Sequence, residues 1–133
     1  MHNYKKFCED KIISDVIVSK NNIPAINIVS FYFKNNNGKL NLVALGDCCS
    51  SSWFHFFDNS DIDSFSKGKT IRYIKFLHDI EMVPSGIQDR DLNHLYQIIF
   101  SDGTNYDFVL RNSSNGYYDG WIDVEISDSL YPQ

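Results

Sequence analysis

The sequence predicts an α+β fold built mainly on antiparallel sheet, with six or seven strands in hairpins and a meander and a short helical insertion near residues 50–66. Three observations lead there. Apolar and polar residues alternate through most of the long runs, the period of a half-buried strand. Asn-Gly and Asp-Gly pairs separate several of these runs, as hairpin turns require. At "SSSWFHFF" (50–57) the period changes to a helical one.

Taken in order, "DVIVSK" (15–20) alternates weakly. "PAINIVSFYFK" (24–34) sets Val29, Phe31 and Phe33 on one face and Ile26, Ile28, Ser30 and Tyr32 on the other. "KLNLVAL" (39–45) groups Leu40, Leu42 and Ala44, and the "NNNG" before it reads as a hairpin turn. In 50–57, Trp53, Phe54 and Phe57 fall on one helical face that a serine can cap. "NSDIDSFSKGK" (59–69) adds a helical turn, capped by Ser60 and closed by Gly68. "TIRYIKFLHDIEMV" (70–83) reads as a strand with helix as a rival, and "PSGIQDRDLN" (84–93) as a polar loop. "HLYQIIF" (94–100) and "NYDFVLR" (105–111) flank "SDGT", and "GWIDVEIS" (120–127) follows. These last three runs predict a three-stranded meander.

The chain has 133 residues, which suits a single domain over 1–133 that buries a core without staples. Its net charge of −5 opposes nonspecific nucleic-acid binding, which runs on Lys and Arg neutralising phosphate. No apolar run approaches the roughly 18 residues of a membrane span, and the first residues lack the apolar core of a signal peptide. The expectation is a soluble protein inside the cell, with no membrane partner. Three cysteines, two of them adjacent, do not make a secreted disulfide framework.

Two stretches carry candidate chemistry. The first is "GDCCSSSWFHFF" (46–57). Adjacent Cys48 and Cys49 cannot easily share one zinc ion, and Cys8, His55, His78 and His94 supply no recognisable ligand spacing. A vicinal disulfide would distort the peptide between them. A cysteine nucleophile at a helix N-terminus, with His55 as base, is physically sensible but lacks a third partner. The reading that fits best is of small apolar cysteines at a tight corner. Asp47 can lock that corner by accepting from the amides of Ser50 or Ser51.

The second stretch is "NSSNGYYDGW" (112–121). Asn112 and Asn115 offer amides, Gly116 a turn, Tyr117, Tyr118 and Trp121 stacking faces, and Asp119 a carboxylate. Binding loops favour this composition, although a plain hairpin loop accounts for it equally well. His55, His78 and His94 are scattered and read as solvated or core-bonded. No catalytic set, metal set or cofactor motif is complete.

With both stretches in view, the chain resembles an uncharacterised family, a domain of unknown function of bacteriophage and giant or large DNA virus proteins. A GDCCS motif and an SNGYY motif mark that family. Here they are "LVALGDCCSSSWF" (42–54) and "YDFVLRNSSNGYYDGWIDVEI" (106–126), and "LYQIIFSDG" (95–103) resembles the strand between them. The resemblance covers most of residues 26–126. This chain departs from it at His55, where the family pattern has an acidic residue. The resemblance implies a viral or phage protein acting in the host cytoplasm or the virion, and it implies no activity.

Weighed together, these features favour a non-enzymatic binding module with a protein partner and no cofactor. The alternative is a small enzyme or small-ligand domain with a pocket between the two motifs. The candidate residues are Asp47, Cys48, Cys49, Ser50, Asn112, Asn115, Gly116, Tyr117, Tyr118, Asp119 and Trp121.

Overall fold

The computed structural model describes residues 3–20, 25–47, 50–57, 61–87, 90–114 and 119–128. Among them run eight strands and two short helices: α1 (Tyr4–Cys8), β1 (Ile13–Lys20), β2 (Ile26–Phe33), β3 (Lys39–Gly46), β4 (Ser50–Phe56), α2 (Ile62–Ser66), β5 (Ile71–Asp79), β6 (Arg90–Phe100), β7 (Asn105–Ser114) and β8 (Gly120–Ser127). All pairings are antiparallel in a single sheet ordered β5-β6-β7-β4-β2-β3-β8, with β1 on the other edge of β2.

Turn chemistry sets two hairpins. Between β2 and β3, Asn35, Asn36 and Gly38 all adopt positive φ, which Asn and Gly tolerate best. Between β6 and β7, Gly103 has φ 90° and the Asp102 carboxylate accepts from the Thr104 amide at 2.9 Å. The inward faces of the strands then build the core. Phe31, Leu40, Ile98, Phe100 and Leu110 lose all exposure, each stabilising by about 1.5–3 kcal/mol relative to staying in water. An aromatic row crosses the sheet through Phe76, Tyr96, Phe108 and Phe56, with Tyr96 stacked on Phe108 at 5.7 Å between centroids.

Two expectations are corrected. Residues 50–56 form a strand, and the helix is confined to Ile62–Ser66. Trp53 and Phe54 are both buried but on opposite faces: Phe54 in the core, Trp53 outside under the Arg111 guanidinium. Phe57 is partly exposed, with its ring against His55. Secondly, the last three runs do not form a meander. β6 and β7 pair, but β8 pairs with β3 through eight successive residues, from Lys39↔Ser127 to Gly46↔Gly120. The helix cap also differs. Asp61 accepts from the Asp63 and Ser64 amides, while Ser60 lies outside the described residues.

The sheet curls, and α1 touches both β5 and β8, the strands at the two ends of this order, which do not pair with each other. The Tyr4 hydroxyl accepts from the Ile74 amide at 3.0 Å and donates to the Ile74 carbonyl at 3.3 Å. Cys8 is fully buried beneath α1, and that burial pushes its thiol pKa up to about 12.

Candidate functional site

The register brings the two motif stretches to one end of the sheet. Gly46 pairs with Gly120, and Ser50 pairs with Ser114. The chain therefore crosses from the β3/β8 pair to the β4/β7 pair at two neighbouring corners, 46–50 and 114–120. Six candidates, Cys48, Cys49, Asn115, Gly116, Tyr117 and Tyr118, lie outside the described residues. Asp47, Ser50, Asn112, Asp119 and Trp121 are described, and they separate into three environments.

The first is a buried polar corner. Asn112 is fully buried and donates from Nδ2 to Ser52 Oγ at 2.8 Å and to the Ser51 carbonyl at 3.4 Å. Both glycines press on this cluster. A Cβ on Gly120 would run into the Ser52 hydroxyl and come within 2.9 Å of Asn112 Nδ2 and the Leu45 carbonyl. A Cβ on Gly46 would run into Ser50 Oγ. Only glycine lets the two strand pairs approach this closely. Ser50 closes the turn through its amide and hydroxyl, at 3.0 and 3.1 Å, but the acceptor is the main-chain carbonyl of Asp47. The Asp47 side chain, expected to lock the corner, is exposed.

The second environment is an outward apolar pair. Leu45 and Trp121 are cross-strand partners, and Trp121 remains 46% exposed. Exposed Asp123 and Glu125 continue along the same face of β8.

The third was not anticipated from the sequence. His94, on the inner face of β6, lies between two carboxylates. Its Nδ1 is 2.6 Å from Asp79 Oδ1, at the end of β5. Its Nε2 is 3.0 Å from Asp119 Oδ1 and 3.2 Å from Oδ2, just ahead of β8. The Gly120 amide donates to the same Asp119 Oδ1 at 2.7 Å. The His94 side chain is only 14% exposed. Burial lowers its proton affinity, but hydrogen bonds and charge from Asp119 and Asp79 outweigh that, and its pKa lies above 6.5. Phe76, 50% exposed, sets its ring against both His94 and Tyr96. Burial and the same two carboxylates hold the Tyr96 phenol above its ordinary pKa of 10.0.

On the outer side of the sheet, Asp91 and Arg111 pair at 3.1 Å, both nearly buried. Asp91 accepts from the Ser85 amide at 2.6 Å and hydroxyl at 2.9 Å, which ties Ser85 to the start of β6; the polar loop expected over 84–93 is corrected at its end, since residues 90–93 belong to that strand. Arg111 donates to Asn93 Oδ1 and the Val83 carbonyl. Burial raises the Asp91 pKa, yet Ser85 and Arg111 outweigh it and the net lies below 3.8.

Two wide depressions, of 570 and 620 Å³, lie toward the far ends of β6 and β7 and not at the motif corners. Among the described residues, no group of three or more His, Cys, Asp or Glu is arranged to hold a metal ion. No helix among them is long and apolar enough to cross a membrane.

An uncharacterised protein of Acanthamoeba polyphaga mimivirus is 48% identical to this chain over 99 residues, covering 74% of this chain and 77% of that protein. Its source agrees with the large-virus side of the resemblance. No family model and no solved structure matches.

Proposed function

This chain belongs to the family of the uncharacterised mimivirus protein, and from that premise we propose that it is a non-enzymatic binding module contacting a host or viral protein. The exposed Leu45–Trp121 pair carries the reading. Large aromatic side chains presented on a rigid sheet make contact area at little entropic cost, and Trp dominates many interface hot spots. Exposed Asp47, Asp123 and Glu125 surround or continue this face, so it suits a partner with an apolar anchor flanked by Lys or Arg.

In this reading the GDCCS and SNGYY stretches are the signature of the family. The partner would be met in the host cytoplasm or on the virion. The alternative, a small-ligand pocket between the two motifs, has weaker support. Where the corners are described, Gly46 and Gly120 pack directly on Ser50, Ser52 and Asn112.

Parallel affinity purification of wild type and Trp121→Ala from infected host cells tests the proposal. A partner retained by wild type and lost at least about tenfold in the variant, at unchanged thermal stability, is expected. An identical set of captured proteins from both would refute the contact role of this face.

A further inference from the structure

The arrangement around His94 does more than fill a corner. β5 and β8 are the two ends of the sheet, and no ladder joins them. Asp79 closes β5, Asp119 opens the approach to β8, and His94 reaches both from β6. We propose that His94 is a proton-operated latch across this seam: as imidazolium it holds Asp79 and Asp119 together, and as neutral imidazole it releases Asp119.

Ionised carboxylates only accept hydrogen bonds, and a neutral imidazole has one N–H. Two carboxylate contacts at 2.6 and 3.0 Å therefore require both ring nitrogens protonated. Loss of one proton leaves one contact without a donor: the ring nitrogen is shielded, at 14% side-chain exposure, while the carboxylate that loses its donor is open to water. The shorter bond, to Asp79, keeps the remaining proton. Asp119 is half exposed, so once released it can turn to solvent and let go of the Gly120 amide.

Among the described residues, the titratable groups facing the ring are Asp79 from β5, Asp119 from ahead of β8 and the Tyr96 phenol from β6. β7 presents Leu110 and β5 the Phe76 ring, both uncharged. His78 is turned to the main-chain carbonyl of Asp79. Since Asp119 and Trp121 flank Gly120, the latch sets the position of the proposed contact face. That consequence rests on the reading above, whereas the latch itself does not.

Ring-nitrogen NMR of the full chain, titrated from about pH 5 to pH 9 without any partner, tests it. His94 should stay doubly protonated above pH 6.5, the ordinary midpoint of a histidine. Asp119→Asn and Asp79→Asn should each shift its midpoint down. Amide exchange at Gly120, corrected for its intrinsic pH dependence, should quicken at least about tenfold as His94 deprotonates. A wild-type His94 midpoint at or below 6.5 would overturn the latch, as would Gly120 exchange indifferent to its titration. The wild-type titration needs no variant to fold. The Trp121→Ala capture, run at one pH, reports on the contact face alone.

Discussion

Asp91 and Arg111 show how single residues fix this fold by completing each other. Each is nearly buried, and further hydrogen bonds tie Asp91 to Ser85 and Arg111 to Asn93 and Val83. Removing one partner strands a buried charge, so Asp91→Ala should cost about 3–5 kcal/mol in urea unfolding, whereas Ser85→Ala should cost only about 1 kcal/mol. Cys8 should resist an aromatic disulfide reagent until the chain unfolds, because its raised pKa leaves almost no thiolate near neutral pH. Tracking reagent uptake against the loss of structure checks this. Composition argued against a disulfide framework but said nothing of the burial of Cys8. It could not foretell Asp91–Arg111, whose partners lie 20 positions apart. His94 was hidden for the same reason. Its partners are 15 and 25 residues away, and nothing local distinguishes a histidine between two carboxylates from a solvated one.

Elements were legible where local chemistry decides them. The "NNNG" and "SDGT" turns announce their hairpins, and alternation in 39–45 and 120–127 marks faces correctly. The strand at 50–56 was not legible, because both its faces are covered and its apolar residues no longer alternate. The partner of β8 was equally hidden: periodicity says which side of a strand is buried, never which strand lies beside it. The packing of the β3/β8 pair on the β4/β7 pair depends on a close approach that two glycines permit. Gly120→Ala should therefore destabilise by about 1–3 kcal/mol through overpacking, and Ser52→Ala in the same chain should recover part of the loss. Chemical denaturation of both single variants and the double variant measures that coupling. Full additivity would show that Ser52 is not what the added methyl meets.

Across the whole molecule, two ionisable groups give stability opposite slopes at opposite ends of the pH scale. His94 binds its proton more tightly folded than unfolded, so its contribution is complete below 6.5 and fades as pH rises through its higher folded value. Asp91 is depressed on folding, so its contribution is present above 3.8 and fades as pH falls through its lower folded value. Thermal midpoints of wild type should pass through a plateau between these limits, and Asp119→Asn should flatten the alkaline limb while leaving the acid limb in place. A different hazard follows from a curled sheet that never closes: an exposed strand border invites a second chain to add itself. Tyr4 answers it on β5. By occupying both the amide and the carbonyl of Ile74, its hydroxyl acts as a stopper in a socket that another backbone would otherwise fill. Tyr4→Phe keeps the ring and empties the socket. Sedimentation should then show concentration-dependent self-association in the variant where wild type remains monodisperse, making one phenolic oxygen a guard of colloidal solubility.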